Sequence, residues 1–364
     1  MKYKVLCVFF AAFIAANSYS QAYESTKKIE RVFGLDKTTE VRVYNKYGNI
    51  NIIPWKQDSV KFIIDLKVSG KKEFKVERVM DNIRFNFIEG SENISVYTSF
   101  ENDKGAFWKD VSDFANIIFK GGTKANIDYA IYIPENQNLH IENKFGNFYT
   151  SDYSGNLVLK ISNGDIKANK LNGINNIESS FGSIILDHIN EGTIDLSYAD
   201  INVKNINTVS LESKSSKIHI DKAESIEIQS RRDKFYFRNL NKLKGEASFT
   251  YIDIGKLTEK IDLRTNYGDI NIDMVNQSFD FINLVSDYTD CNIRLPATSS
   301  FNFEINYDNR VNLYLPEDIS KLEPRDLGSN RYTLSGMTGK DPVADIKVSK
   351  SGGILSIEYF NDFH

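Results

Sequence analysis

Apolar residues two positions apart recur along most of the chain. Side chains at i and i+2 of a strand share one face, so this spacing predicts short strands with one side buried. Leu157-Val158-Leu159-Lys160-Ile161, Ile194-Asp195-Leu196 and Ile261-Asp262-Leu263 are such stretches, and each precedes a small or turn-forming cluster. A second alternating stretch follows the cluster, as in Ile201-Asn202-Val203, Ile218-His219-Ile220 and Ile270-Asn271-Ile272. A few positions further on comes one more apolar residue: Leu171, Ile189, Ile206, Ala223, Leu240 or Leu257. It reads as an inward anchor where the chain turns towards the next unit.

The cluster itself repeats. The Ile, Phe or Val that closes it falls at Phe148, Ile166, Ile184, Ile201, Ile218, Phe235, Ile254, Ile270, Ile293 and Val311, in steps of 18, 18, 17, 17, 17, 19, 16, 23 and 18. One pair of strands this short buries too little to be stable alone. Stacking near-identical units pairs the backbone and builds a continuous core. The expected fold is therefore all-β: a single-stranded β-solenoid, β-helix-like, of about ten rungs of 17–18 residues. The same reading gives it an N-terminal β insertion with one or two short helices. Gly146, Gly164, Gly182 and Gly268 are expected where the corner needs positive φ, although Ala199 stands at one such place. The rival architecture is an antiparallel sandwich of hairpins, since Asn-Gly-Asp is also a hairpin signal. Nearly constant unit length favours the solenoid.

The ends depart from the repeat. Asn45-Lys46-Tyr47-Gly48-Asn49-Ile50 is an early copy of the motif. After it, strands are expected at Val60–Val68, Ile83–Phe87, Ile94–Thr98 and Ile127–Ile133, with a short helix from Lys72 to Asp81. Phe107, Val111, Phe114 and Ile118 recur at helical spacing beside Trp108 and Phe119, which predicts an amphipathic helix ending at Gly121-Gly122. Such a helix covers the first rungs as a lid or docks on a partner or a membrane surface through Phe107, Trp108, Val111, Phe114 and Ile118. Ile346-Lys347-Val348 and Gly353-Ile354-Leu355-Ser356-Ile357 resemble one last rung. The organisation expected is a signal peptide over 1–20 and a leader over 21–37. The first rung with the insertion and lid follows over 38–138, the repeats over 139–315, and a C-terminal cap with the last rung over 316–364.

Lys2 and Lys4, an apolar run from Val5 to Ala16, and Ser18 and Ser20 before Gln21 form the signal pattern. Export to the periplasm, the outer membrane or the exterior is implied, with no transmembrane segment after cleavage. Cys7 falls within the signal, which leaves Cys291 as a small buried apolar residue and no disulfide. A hydrophobic fraction of 41% and a charged fraction of 26% fit a folded chain rather than a disordered one. A net charge of -4 without a long basic run argues against nucleic acid.

Val43-Tyr44-Asn45-Lys46-Tyr47-Gly48-Asn49-Ile50, Glu142-Asn143-Lys144-Phe145-Gly146-Asn147-Phe148 and Asn266-Tyr267-Gly268-Asp269-Ile270 together resemble the bacterial putative-adhesin β-strand-repeat family of unknown function, relatives of the GIN-type adhesin head domain. The resemblance spans residues 38–360. It implies an exported coiled β protein of Gram-negative envelopes, and it brings no catalytic motif.

Asp165, Asp200, Asp253 and Asp269 recur before the inward residue, but turn propensity accounts for them, and Ser183, Lys217 and Lys234 interrupt any calcium ladder. His140, His188 and His219 lack metal-ligand spacing. No metal, cofactor or catalytic residue is expected. Arg231, Arg232 and Lys234 form the densest basic cluster, either a solvated corner or a seat for an anionic sugar or lipid headgroup. The function expected is non-enzymatic: an adhesin-like envelope protein presenting a β face to a protein or glycan. A polysaccharide lyase or hydrolase on the same scaffold, and a periplasmic scaffold or sensory partner, stay open as alternatives.

Overall fold

The computed structural model describes residues 22–100 and 122–361. The signal segment and the apolar helix expected at Phe107, Trp108, Val111, Phe114 and Ile118 lie outside the described residues. The chain is all-β, with one 23-stranded sheet and, among the described residues, two helices.

The N-terminal part comprises β1 (Tyr23–Gly34), β2 (Glu40–Lys46), β3 (Ile50–Trp55), β4 (Ser59–Gly70), α1 (Glu73–Asn82), β5 (Ile83–Glu89), β6 (Asn93–Phe100) and β7 (Thr123–Pro134). Next come β8 (Leu139–Lys144), β9 (Phe148–Thr150) and β10 (Leu157–Ser162). The middle holds β11 (Ile166–Ser180), β12 (Ser183–Ser197), β13 (Asp200–Lys214), β14 (Lys217–Arg231), β15 (Lys234–Ser248), β16 (Tyr251–Ile272) and β17 (Phe281–Pro296). The C-terminal part comprises β18 (Phe301–Asp308), β19 (Val311–Tyr314), α2 (Glu317–Ser320), β20 (Arg325–Gly328), β21 (Arg331–Thr338), β22 (Ala344–Ser351) and β23 (Gly353–Phe360).

From β11 to β17 each strand pairs in parallel with the next. That excludes the hairpin sandwich, whose neighbours would run antiparallel. Ile166, Ile184, Ile201, Ile218, Phe235 and Ile252 stand opposite one another and are buried. Leu171, Ile189, Ile206, Ala223, Leu240 and Leu257 form a second buried column, as their spacing predicts. Two register assignments need correction. The partner of Phe235 is Ile252, not Ile254, which pairs with Phe237. Tyr-Ile-Asp-Ile offers two isoleucines two apart on the same face, and sequence alone cannot choose between them. The steps around it become 17 and 18 in place of 19 and 16. Cys291, not Ile293, faces Ile270. The 18-residue units carry one extra residue after the anchor, seen as register shifts at Leu171/Ile174 and at Leu240/Lys242.

The corners also differ from expectation. Positive φ falls on the residue before each glycine, at Phe145, Asn163, Phe181 and Tyr267, and not on Gly146, Gly164, Gly182 or Gly268. Glycine is required there for space. A Cβ on Gly146 would lie 1.8 Å from the Gly48 carbonyl oxygen of the neighbouring unit.

At both ends spatial order departs from chain order. β2 and β3 lie between β6 and β7 on one side and β8 and β9 on the other, all parallel. Beyond them β5 pairs antiparallel with β6, β4 with β7, and β1 with β4. The stretch over 21–37, read as a leader, contributes a twelve-residue strand. Its side chains are mostly exposed, so no hydrophobic alternation announced it. At the other end β22 and β23 insert between β17 and the pair β18 and β19. The last unit in sequence is therefore not the last in space.

Candidate functional site

The residue that opens each corner, before glycine or the small residue in its place, sits in the left-handed region, a conformation that costs an L-residue about 1–2 kcal/mol. Bulky aromatics occupy most of these places: Tyr47, Phe145, Phe181, Tyr198, Phe249, Tyr267 and Tyr288. Parallel pairing without a change of face sets them one above another. Rings stack at 5.2 Å for Tyr47 and Phe145, 5.3 Å for Phe181 and Tyr198, 5.2 Å for Phe249 and Tyr267, and 5.4 Å for Tyr267 and Tyr288. Tyr47 is buried; the others protrude, with Phe181 59%, Tyr198 51% and Phe249 53% exposed. The Arg310 guanidinium closes the column 5.2 Å from the Tyr288 ring centre. Exposed rings in a strained conformation contribute little to the core, so the column is the foremost candidate for a functional surface.

Asn163 breaks the column once, and Ser215 with Arg232 breaks it for two successive units. Corner chemistry changes at the second break. At glycine corners a side-chain oxygen of one unit accepts the backbone N–H of the next: Asn49 Oδ1 from Asn147 at 3.0 Å, Asn147 Oδ1 from Asp165 at 2.8 Å, and Asp165 Oδ1 from Ser183 at 2.9 Å. Asp165 is thus a turn-capping group. At the following corners Ala199, Ser216, Asp233 and Thr250 replace glycine. Asp200, Lys217, Lys234 and Tyr251 instead donate to the carbonyls of Gly182, Ala199, Ser216 and Asp233. The replacing side chains turn inward. Asp233, 2% exposed, accepts from Ser216 N at 2.7 Å, Ser213 Oγ at 2.8 Å, Ser230 Oγ at 2.7 Å and Arg231 N at 3.0 Å. Four donors substitute for a countercharge around this carboxylate.

Arg231, Arg232 and Lys234 flank Asp233 and are all exposed. Lys214 pairs in register with Arg231, and Lys217 with Lys234, so five cations share this corner. The Lys217 ammonium lies 5.6 Å from the Tyr236 ring centre. In the adjoining outward columns Lys204 reaches Asp187 at 2.5 Å, Lys244 reaches Glu227 at 2.9 Å, and Lys242 reaches Glu259 at 3.0 Å. Lys214, Arg231, Arg232 and Lys234 make no ion pair with a described residue. Beside them opens a cleft of about 610 Å³ whose lining includes Asp195, Glu212, Gln229, Lys214, Arg231 and Phe249. Burial, then the carboxylates of Glu212 and Glu178, push the Asp195 carboxyl above its ordinary value.

The basic cluster read from the sequence is therefore brought together with Lys214 and Lys217, which that reading left out. The aromatic column went unremarked as a surface, although its signal was present: a Tyr or Phe directly before the small residue in successive copies of the motif. Among the acidic residues, Asp165, Asp200 and Asp269 occupy one corner column, whereas Asp253 belongs two positions further on and accepts from Asn271 Nδ2 at 2.8 Å. His140 pairs with Glu142 at 2.8 Å and His219 stacks on Tyr236 at 4.6 Å. No group of three or more His, Cys, Asp or Glu among the described residues could hold a metal ion. Cys291 is buried, and burial raises its thiol pKa. No helix among the described residues is long and apolar enough to cross a membrane.

No family model and no curated protein matches this chain. Several solved structures similar to it are putative adhesins, the group its corner motifs resemble. One from Parabacteroides distasonis is 10% identical, covers 74% of this chain and 90% of its own, and has a TM-score of 0.30. One from Bacteroides fragilis is 10% identical over 92% of this chain and 97% of its own, with a TM-score of 0.25. A third, described as a lipid binding protein from P. distasonis, is 10% identical over 92% of this chain and 96% of its own, with a TM-score of 0.28.

Proposed function

We propose that this chain is an exported, adhesin-like envelope protein that binds glycan along the aromatic edge of a β-solenoid, without chemical turnover. The parallel pairing of successive units at a 17- or 18-residue offset supports the coil. The observation that carries the function is the column of exposed rings held at positive φ. Ring faces bury the C–H faces of sugars, and the polar side chains around them accept hydroxyl protons. A glycan array probed with residues 22–361, and with a Tyr198→Ala/Phe249→Ala variant, tests this. Retention of neutral or acidic glycans by the wild type, lost in a variant of unchanged Tm, is the expected result. Equal retention by both would remove the edge from consideration.

A second reading, glycan cleavage, rests on one feature. Asp195 and Glu212 face each other on adjacent parallel strands in the cleft. Strand spacing of about 4.8 Å lies near the carboxyl separation of retaining glycosidases, about 5–5.5 Å. Shortened products in the glycan incubations, abolished by Glu212→Gln, would establish it.

A further inference from the structure

Stacking hides ring faces inside each pair, so open faces occur only where the column is broken. At the wide break Tyr198 leans on Phe181 and Phe249 on Tyr267, which leaves one face of Tyr198 and one face of Phe249 turned towards the gap. Three strand steps separate them, about 14 Å at the usual spacing. Ser215 and Arg232 stand between, with Arg231 and Lys214 beside them and Lys234 beyond the corner. Four cations without a carboxylate partner, gathered at one corner of a chain of net charge -4, make this an electrostatically unfinished surface. The adjoining cleft carries the carboxylates of Asp195 and Glu212 and the amide of Gln229, which suit hydroxyl groups. The Asn163 break has open faces too, on Phe145 and Phe181; the cations beside it are Lys144 and its register partner Lys46.

We infer that the break between Tyr198 and Phe249 seats an acidic glycan segment. Its sugar rings lie against the two open aromatic faces, and its carboxylates or sulfates pair with Lys214, Arg231, Arg232 and Lys234. This rests on the reading of the aromatic edge as a glycan surface and adds the charge class and the place. Arginine favours the pairing because its planar fork meets a carboxylate through two hydrogen bonds. The four cations are exposed, so replacing them leaves the buried Asp233 network intact.

The test is calorimetric titration of residues 22–361 with oligogalacturonate and with the same oligomer fully methyl-esterified. Arg231→Gln/Arg232→Gln serves as the variant, with Tm and circular dichroism confirming its fold. The wild type is expected to bind the free acid about tenfold tighter than the ester. That preference should shrink as salt rises from low to physiological ionic strength, and the variant should lose it while still binding the ester. Equal affinity for acid and ester, or an unchanged preference in the variant, overturns the inference and leaves the glycan edge standing. Absence of binding to both oligomers, with a protein retained from solubilised envelopes by the same edge, overturns both readings.

Discussion

At the scale of single residues, one corner is solved in two ways. Gly146 exists because the carbonyl of Gly48, in the neighbouring unit, occupies the space of a side chain. Gly146→Ala should therefore cost about 3 kcal/mol or more, since backbone cannot move aside as a side chain can. Asn163→Gly, at a left-handed residue whose side chain is exposed, should instead stabilise by up to about 1 kcal/mol, since relief of about 1–2 kcal/mol of left-handed strain outweighs glycine's backbone-entropy cost of about 0.5–1 kcal/mol. Urea denaturation of both variants would show opposite shifts of midpoint. At the non-glycine corners the side chain turns in and supplies the hydrogen bonds itself. Asp233→Ala would leave four donors without their acceptor, at about 3–5 kcal/mol. Asp233→Asn keeps an acceptor oxygen and should lose less, and the same denaturation series checks the ranking.

At the scale of elements, the C-terminal units are clasped by one carboxylate. Asp308 Oδ2 meets Arg310 Nη2 at 2.5 Å and Ser351 Oγ at 2.8 Å, and Asp308 Oδ1 accepts from Arg310 N at 2.9 Å and Gly352 N at 3.3 Å. Arg310 also donates to the Tyr288 hydroxyl, so β17, β18 and β22 meet at this point. Hydrogen bonding from Arg310 first, then from Ser351 and the two backbone amides, holds the Asp308 carboxyl well below the usual carboxylate range, against a raising effect of burial. A depressed folded pKa stabilises above the unfolded value of about 3.9 and ceases to do so as pH falls through the folded value. The Tm difference between wild type and Asp308→Asn should be full at pH 6, and it should shrink progressively below about pH 4. A difference independent of pH would mean that the clasp acts through shape and not charge.

At the scale of the molecule, every middle unit touches only its neighbours, so stability is close to a sum of unit and interface contributions. The ends escape this rule because later segments are inserted between earlier ones. Deleting residues 344–361 removes β22 and β23 from between β17 and the pair β18 and β19. The antiparallel pair of β18 and β21 then loses its attachment to the stack, and the buried Ile282, Leu284 and Ile293 lose their cover. Limited proteolysis should cut such a protein within residues 301–338 while residues 183–296 resist. Hydrogen exchange of the full chain should place its slowest amides between β12 and β15 and its fastest at β1 and β20, whose side chains are largely exposed.

Alternation, period and anchor were legible in the sequence, because burial of one face imposes a two-residue rhythm and equal units impose a constant step. Ile184, Ile201, Ile218 and Phe235 and the anchors Leu171 to Leu257 follow from these two facts alone. Strands β4 to β7 and helix α1 were likewise visible, within a few residues. Choosing Ile252 over Ile254 required the tertiary structure, since both point inward and only the pairing partner separates them. The insertion of β22 and β23 ahead of β18 was equally hidden, because parallel pairing between distant segments leaves no local trace. The aromatic edge was half-visible: Tyr or Phe before the small corner residue repeats in the sequence. Only stacking of the units shows that these rings form one column, that the column opens at Ser215 and Arg232, and that Lys214 and Lys217 share the opening with Arg231 and Lys234. Proximity across 17 residues is a property of the pairing register, and the register is decided by the packed core rather than by any single segment.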